Sequence, residues 1–445
     1  MHKRSKLKLL GVFLAFALVA AACGDDDDTT ATTVALASTT AAPATTAAPA
    51  PTAPPATTAA PATTAAPATT AAPVDTSPIK IGMLTSLTGV FTPWGVQVKD
   101  GMQLAVDEIN AAGGVGGRML ELEQFDDESD PEKGVNGIER LIEDGVVAVA
   151  GTISSGVAVP TAQLAEELQT PLFLVMAGTG AALTQDSRYT FRTCLPAAPM
   201  VAGPIAQFAQ ADGLTKVGAI IADYAWGQAI KSALEAEFAD LPGIEIQIEV
   251  APVPEQDFTT YLRSLEEFDP DIIVATGHPP GSGAITIQSA DLGIDVPITG
   301  AYTPLSLIMG GGVAGAALGR YSDFGCADYS SAGYQDLAQR YLASSDNVFM
   351  ESPAVAGFGI VHMVADAVAA VGDDRTAVAE WLHTQSFDLP GYAFTVDWTA
   401  WGELAHAQPL FVRIADQAPP AGVNESGAWY PEQLILPEPL EPFVP

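Results

Sequence analysis

The stretch that decides the fold is VVAVAGTISSGVAVPTAQLAEELQTPLFLVMAGTGAALT, which runs from Val146 to Thr184. Two short apolar runs, Val146–Ala150 and Pro171–Met176, have the length and the β-branched content of buried strands. Between them, apolar residues recur at helical spacing and predict a helix with Ser155 as its N-cap. Two parallel strands joined by a helix form a right-handed βαβ unit.

Two small, hydroxyl-bearing loops follow these strands, Ser154-Ser155-Gly156 and Ala177-Gly178-Thr179-Gly180. Parallel sheets bind ligands outside the carboxyl ends of their strands, and a helix N-terminus favours a negative charge. Two interpretations are therefore open. Ser155 and Thr179 either bind a carboxylate or phosphate, or the first only caps a helix and the second only closes a turn.

The N-terminal segment has the pattern of an export signal. A basic start at residues 3–8 precedes the apolar run Leu9–Ala22, which is too short to span a bilayer. The small residues before Cys23 resemble the lipobox of bacterial lipoproteins, although Ala20 stands where that motif usually has leucine. We expect residues 1–22 to be removed and Cys23 to carry a lipid anchor. The alternative is an ordinary signal peptide with an incidental cysteine.

Residues 23–77 form a low-complexity segment. The hexamer ATTAAP occurs four times between residues 44 and 73, and because it carries no bulky side chain it cannot build a core. Its regular prolines favour an extended chain of about 3.1 Å per residue, which gives a reach of about 150 Å. The segment is therefore expected to be a disordered tether between the anchor and the folded part.

The remaining chain, from about residue 78, is acidic, and its predicted strands and helices alternate. The whole sequence has 53 acidic and 18 basic residues and a net charge of −35, which argues against nucleic acid as a partner. Predicted strands and helices alternate in two series, one before Arg192 and one from Val217 to Gly300. Two such series separated by an extended crossing predict an α/β fold with two doubly wound lobes, each with a parallel-sheet core.

Further short segments recur through this part of the chain in a characteristic order and spacing. The most specific is Ile109-Asn-Ala-Ala-Gly-Gly114, which follows an amphipathic helix. The others are Ile81–Gly89, Trp94-Gly95, Asp126-Asp127, Asp130-Pro131, Gly151–Ser155, Ala177–Thr179, Trp226-Gly227, Asp257-Phe258 and Gly391-Tyr392. Together they resemble the substrate-binding proteins of branched-chain amino acid ABC importers, the leucine/isoleucine/valine-binding type. The resemblance covers residues 78–415.

The resemblance implies a fold of the periplasmic binding protein type I. In that fold two α/β lobes are joined by three crossing strands, and the lobes close on a ligand between them. It also implies that Cys194 and Cys326 lie on neighbouring crossing strands, close enough for a disulfide; two buried thiols are the alternative. The implied boundaries are 78–194 with 327–394 for the first lobe, and 195–326 with 395–445, including a proline-rich C-terminal tail, for the second.

The resemblance also implies a ligand site. Ser155 and Thr179 match positions that hold a ligand carboxylate, and Ala177 matches one whose carbonyl accepts a hydrogen bond from a ligand ammonium. Two tryptophans and a histidine stand where aromatic residues commonly line the pocket, although core packing or a plain loop also explains each of them. The implied set is Trp94, Ser155, Ala177, Gly178, Thr179, Trp226, His278 and Tyr302.

One departure from the resembled family changes the expected ligand. The acid that pairs with the ligand ammonium aligns with Tyr302, which can exchange a hydrogen bond but carries no charge. Burying an ammonium without a counter-charge is costly, so we expect a small carboxylate with an apolar or aromatic body. Asp223 or Glu351 is the alternative source of the acid. The family's usual cysteine pair is replaced by Ser129 and Ser154.

The combined expectation is an extracytoplasmic lipoprotein that captures a small carboxylate and delivers it to an ABC permease and ATPase. A sensor that signals a bound amide or acid to a membrane partner is the alternative. A hydrolase is not expected, because the sequence has no G-x-S-x-G elbow, no H-E-x-x-H motif and no Walker loop. No cofactor is expected, and the five histidines are scattered without metal-ligand spacing.

Overall fold

The computed structural model describes residues 75–276, 281–310, 314–425, 427, 429–435 and 438–445. The predicted signal segment, the lipidation site Cys23 and almost all of the tether lie outside these residues, and so does the predicted pocket residue His278. The described residues belong to one compact unit that starts at residue 72.

The first part of the unit is a run of alternating strands and helices. Its elements are β1 (Ile79–Thr85), α1 (Thr92–Ala111), β2 (Leu120–Asp126), α2 (Pro131–Glu143), β3 (Ala148–Thr152), α3 (Ser155–Glu167), β4 (Leu172–Leu174), a 3₁₀ turn (Gly180–Ala182) and β5 (Thr190–Arg192). The five strands form one parallel sheet in the order β2-β1-β3-β4-β5. This sheet is the core of the first lobe, as the sequence predicted.

A second series of strands and helices follows. Its elements are α4 (Ala198–Ala211), β6 (Lys216–Ala222), α5 (Ala225–Ala239), β7 (Glu245–Ala251), α6 (Thr259–Phe268), β8 (Ile272–Thr276), α7 (Gly281–Asp291), β9 (Ile298–Thr299), α8 (Leu305–Gly310), α9 (Ala314–Ala317) and β10 (Tyr321–Gly325). The last elements are α10 (Ala332–Ser344), α11 (Ser352–Val371), α12 (Arg375–Leu382), β11 (Leu410–Ala415) and β12 (Tyr430–Ile435).

The second sheet has seven strands in the order β12-β11-β10-β9-β8-β6-β7. Strands β6 to β10 pair in parallel, while β11 and β12 extend the sheet by antiparallel pairing. The chain is therefore an α/β protein with two lobes built on parallel-sheet cores, which confirms the predicted fold class.

Helix α11 is apolar along its length and long enough to cross a membrane, but most of it is buried in the protein. It packs along α1 of the first lobe, and glycines make the close approach possible. A Cβ atom at Gly101 would lie 2.2 Å from the carbonyl oxygen of Ala354, and one at Gly357 would lie 2.5 Å from that of Val98. Helix α11 is thus a core helix of the first lobe.

Local sequence signals predict the start of α2 correctly and the start of α3 one residue too late. Asp130 is the N-cap of α2, and its carboxylate accepts from the backbone amides of Glu132 and Lys133 at 2.9 and 3.1 Å. The predicted N-cap of α3, Ser155, is wrong. The cap is Ser154, whose hydroxyl accepts from the amide of Gly156 at 3.2 Å. Adjacent serines offer the same cap chemistry, so composition alone does not choose between them.

The chain crosses between the two sheets three times: after β5, after β10 and before β11. Cys194 and Cys326 lie on the first two crossings and form a disulfide with Cα atoms 5.2 Å apart. The third crossing runs beside the second, as the hydrogen bond from the amide of Ala393 to the carbonyl of Cys326 shows, at 2.8 Å. The side-by-side crossings and the bridged cysteines agree with what the resemblance implied.

The segment just after the boundary predicted at residue 395 contacts the first sheet. The Trp398 ring lies 5.0 Å from the Phe191 ring, and its indole N–H donates to the carbonyl of Arg192 at 2.6 Å. Both partners belong to β5 of the first sheet. The turn around Trp398 therefore packs on the first lobe, because an indole of this size finds its apolar cover there.

Candidate functional site

A small, narrow cavity lies between the loops that follow the strands of the two sheets. Its walls come from both lobes at the carboxyl ends of parallel strands, which is where such sheets bind ligands. The lining residues are Phe91 and Trp94 after β1, Ile153 after β3, Met176 after β4, Leu195 on the first crossing, Tyr224 and Trp226 after β6, Thr276 at the end of β8, and Ala301 and Tyr302 after β9.

Direct contacts across this cavity hold the lobes together in the structure. The indole N–H of Trp94 in the first lobe donates to the carbonyl of Tyr302 in the second at 2.7 Å. The rings of Phe91 and Tyr224, again from opposite lobes, have centroids 5.3 Å apart. The structure is therefore a closed arrangement of the two lobes.

Trp226 is oriented by contacts with both lobes. Its indole N–H donates to the hydroxyl of Thr276 at 3.2 Å. Its six-membered ring lies directly on the backbone of Gly178, where a Cβ atom would be 2.1 Å from Cζ3 of the indole. The predicted site residue Gly178 thus does not line the cavity but gives the tryptophan room to close over it.

Tyr302 places a neutral phenol at the position where the resembled family carries an acid. Its backbone is in the left-handed region, at φ 58°, and its side chain is buried. Burial raises the pKa of Tyr302 well above its usual value, so the phenol stays protonated at neutral pH. Its hydroxyl has no hydrogen-bond partner within the described part of the chain, so a ligand could satisfy it.

Asp223 and Glu351, the two alternative acids that could pair with a ligand ammonium, lie outside the cavity wall. Asp223 is exposed, and its carboxylate accepts from the side chain of Gln228 at 2.7 Å. Glu351 is buried, and its carboxylate accepts from the backbone amides of Leu305 and Ser306. Neither acid lines the cavity, and all ten residues that do are uncharged. The described wall offers no counter-charge to a ligand ammonium.

The two predicted carboxylate ligands are paired with each other. The hydroxyl of Ser155 accepts from the backbone amide of Thr179 at 3.3 Å, and the hydroxyl of Thr179 caps the following 3₁₀ turn. Ser155, Ala177 and Thr179 are all buried and none lines the cavity. These loops reach the cavity through the neighbouring residues Ile153 and Met176 instead.

A buried ion pair, which the sequence reasoning missed, holds the second of these loops. The guanidinium of Arg192 donates to the carbonyls of Ala177 and Thr179 and, at 2.8 Å, to the carboxylate of Glu403. Both charged side chains are completely buried. Burial raises the pKa of Glu403, and the adjacent Arg192 opposes this shift. Ala177, expected to receive a ligand ammonium, thus already accepts from a protein cation.

A family model described as "Periplasmic binding protein" matches residues 78–416. The chain belongs to this family. Among the described residues of this periplasmic binding protein, no group of three or more histidine, cysteine, aspartate or glutamate side chains could hold a metal ion.

Several individual proteins are similar to this chain in sequence or in fold. Leu/Ile/Val-binding protein BraC3 of Rhizobium johnstonii is 31% identical over 225 residues, which are 50% of this chain and 60% of that protein. An ABC transporter solute-binding protein of R. palustris in complex with benzoate has a TM-score of 0.69 at 21% identity, covering 82% of this chain and 98% of that one. LivJ of Streptococcus pneumoniae, in complex with isoleucine, has a TM-score of 0.68 at 22% identity, covering 81% and 100%. The two structures show the shared fold.

Two aromatic residues of the cavity escaped the sequence analysis. Phe91 precedes Trp94 by three residues, and Tyr224 precedes Trp226 by two. In each case a strand-to-helix loop carries a second aromatic residue beside the predicted one, and this doubling is a signal that could have found them. No comparable signal links Arg192 to Glu403, which lies 211 residues away in the sequence.

Proposed function

We propose that this periplasmic binding protein is the extracytoplasmic receptor of an ABC importer. It closes its lobes on a small carboxylate with an apolar or aromatic body and delivers it to the permease and ATPase. The cavity carries the proposal, because its lining combines aromatic rings from both lobes and contains no charged residue. The family and fold are those of solute-binding proteins rather than enzymes, and a Leu/Ile/Val-binding relative and a benzoate complex support small organic ligands.

The apolar part of the ligand would lie between aromatic side chains. Trp94 and Phe91 face it from the first lobe, and Trp226 and Tyr224 from the second. Each aromatic residue can bury about 150–250 Å² of its own surface. Because this wall is assembled from both lobes, an apolar ligand stabilises the closed arrangement more than the open one, which is the requirement for ligand-driven closure.

The acidic end of the ligand would lie toward the first lobe. Ile153 lines the cavity, and helix α3 begins two residues later at Ser155. The N-terminal end of a helix favours a negative charge by up to roughly 2 kcal/mol when partly buried. The hydroxyl of Tyr302, which has no partner in the described chain, could donate a further hydrogen bond.

We expect 3-phenylpropanoate to bind at least as tightly as phenylalanine, and 4-methylpentanoate at least as tightly as leucine. Each pair differs by one ammonium group. The described cavity wall has no acid to receive it, and an ammonium buried without a counter-charge loses its hydration without compensation. Isothermal calorimetry of the purified protein with the four compounds measures the preference.

A variant of Tyr302 provides the control. Tyr302→Glu supplies the missing acid and should shift the preference toward the amino acids, whereas Tyr302→Phe adds no charge and should leave the preference as it is. If the wild-type protein instead binds the amino acids about tenfold or more tightly, a difference of roughly 1.4 kcal/mol, the cavity holds an acid at a position that the described residues do not show.

We further propose that the protein is anchored to the outer face of the cell membrane through Cys23. The small residues before Cys23 and the proline-rich repeats after it support this arrangement. Mass spectrometry of the membrane fraction should find an N-terminus at Cys23 with a lipid attached, and Cys23→Ser should move the protein to the soluble fraction. An N-terminus at another residue, or an unmodified cysteine, excludes the anchor but leaves the ligand proposal untouched.

A further inference from the structure

Glu351 links the two lobes from a position outside the cavity wall. It stands directly before α11, the helix that packs along α1 in the first lobe. Its backbone amide donates to the side chain of Gln97 on α1 at 3.2 Å, and the same Gln97 donates to the carbonyl of Phe349 at 3.0 Å. The backbone of Glu351 is therefore fixed to the first lobe.

The carboxylate of Glu351 points to the second lobe. Its two oxygens accept from the backbone amides of Ser306 at 2.8 Å and Leu305 at 3.2 Å, at the start of α8. These residues follow the cavity residue Tyr302 by three and four positions. In this closed structure one side chain thus ties the first lobe to the segment that carries Tyr302.

The groups that face Glu351 are acidic or neutral. They are Asp323 on β10, Tyr329 after it, and Tyr334 and Tyr341 on α10. Burial raises the pKa of each tyrosine well above its usual value and also raises the pKa of Asp323. Within the described residues, Glu351 forms no ion pair with a lysine, arginine or histidine. Its side chain is only 2% exposed.

We propose that Glu351 is a positioning residue that binds a proton as the lobes close, and that it holds the Tyr302 segment against the first lobe, so that ligand binding strengthens as the pH falls. The inference rests on the proposed function, since it takes the closed structure to be the ligand-binding one. When the lobes open, α8 moves away from the carboxyl group and water takes its place. The charged form, which is costly in the closed interior, is then the stable one.

The sign of the pH effect follows from the two environments. In the closed structure burial raises the pKa of Glu351 to about 7, although the hydrogen bonds from Ser306 and Leu305 oppose this shift. In the open form a hydrated carboxyl returns toward its ordinary pKa near 4.3. Closing therefore takes up protons between these values, and affinity should be about tenfold higher at pH 6 than at pH 8. Above pH 8 and below pH 4 the effect should level off.

The first test needs no ligand. Thermal unfolding of the full chain is measured from pH 5 to pH 8 for the wild type and Glu351→Gln, which mimics the protonated side chain. Because the folded-state pKa is raised, the contribution of Glu351 to stability is largest near its unfolded pKa and declines as the pH rises through 7. The wild-type melting temperature should therefore fall relative to that of the variant across this range. This difference reports the fraction of ligand-free protein that is closed, so a constant difference together with equal proton uptake in the second test overturns the proposal.

The second test measures the proton directly. Calorimetry with 3-phenylpropanoate and 4-methylpentanoate at pH 7, in buffers of different ionisation enthalpy, should show proton uptake by the wild type and none by Glu351→Gln. Asp366→Asn is the matched control. Burial also raises the pKa of Asp366, but it lies about four turns further along α11, so this variant should keep the uptake. Equal uptake by the wild type and the Gln variant, together with a constant difference in melting temperature, overturns the proposal.

The two tests separate this inference from the proposed function. If none of the acids binds, the ligand class is wrong, and the unfolding profile of the Glu351→Gln variant still decides whether the buried carboxyl is proton-linked. If an acid binds with the same affinity at pH 6 and pH 8 and the difference in melting temperature is also constant, the receptor function stands and the role of Glu351 is refuted.

Discussion

Gly178→Ala should weaken ligand binding by roughly 5- to 150-fold, because the added methyl group occupies the place of Trp226 in the closed structure. A Cβ atom there would lie 2.1 Å from Cζ3 and 2.5 Å from Cε3 of the indole, and 2.9 Å from Leu195. Overpacking of this kind typically costs about 1–3 kcal/mol, which corresponds to the stated factor. The tryptophan cannot simply turn away, since its N–H is bonded to Thr276.

The effect should appear in binding rather than in folding. Gly178 belongs to the first lobe and Trp226 to the second, and the backbone of Gly178 is outside the left-handed region. Opening the lobes therefore removes the tightest contacts of the added methyl group and leaves only the flexible end of Leu195 to shift. Gly203→Ala on α4 is the control, because a Cβ atom there meets nothing within 4 Å. Calorimetry with 3-phenylpropanoate compares the variants. Equal affinities of the wild type and Gly178→Ala would show that the ligand-bound form does not place Trp226 on Gly178.

The two sheets were predictable because their signals are local. Each parallel strand is a short apolar run bounded by turns, and each helix between strands has a periodic apolar face. Asp130 before Pro131 carries a cap and a fixed backbone angle in adjacent residues, so the start of α2 was correct. Ser154 and Ser155 carry the same chemistry, so the start of α3 missed by one residue. The contact of Trp398 with β5, just beyond the boundary predicted at residue 395, is set by tertiary packing that spacing along the chain does not encode.

Trp94, Trp226 and Tyr302 line the cavity near the carboxyl ends of strands, the place where the sequence located a ligand site. Their contact with a ligand stays a prediction. The roles expected of Ser155 and Thr179 depended on which partners their hydrogen-bonding groups would choose, and the structure pairs them with each other. Partner choice among nearby polar groups is decided by distances of a few tenths of an ångström, which spacing along the chain does not encode.

Arg192→Leu should lower the free energy of unfolding by about 3–5 kcal/mol, since it leaves the carboxyl of Glu403 buried without its counter-charge. Both side chains are completely buried in the wild type. Arg413→Leu is the matched control, because the pair of Arg413 with Glu432 is 41% and 47% exposed, and exposed pairs contribute only about 0–1 kcal/mol. Guanidinium denaturation at pH 7 measures both losses. A loss in Arg192→Leu no larger than in the control would contradict the buried pair.

The pH dependence of the stability loss in Arg192→Leu tests whether the unpaired carboxyl of Glu403 causes that loss. Without Arg192, the cation that opposes the effect of burial on Glu403 is gone, so the pKa of Glu403 should rise further. A carboxyl whose folded pKa is raised contributes most stability near its unfolded pKa and loses it as the pH rises. The deficit of the variant should therefore shrink from pH 8 toward pH 5, whereas that of Arg413→Leu should change little.

The double variant Arg192→Leu with Glu403→Leu separates stability from loop positioning. Replacing both members of a buried ion pair by apolar side chains is often neutral, so the double variant should regain most of the stability that the single variant loses. Both the single and the double variant should bind ligand more weakly than the wild type, because in both the carbonyls of Ala177 and Thr179 lack the guanidinium that holds them. The loop that supports Trp226 through Gly178 is then free to shift. Recovery of stability and affinity together would show that Arg192 serves only to neutralise Glu403.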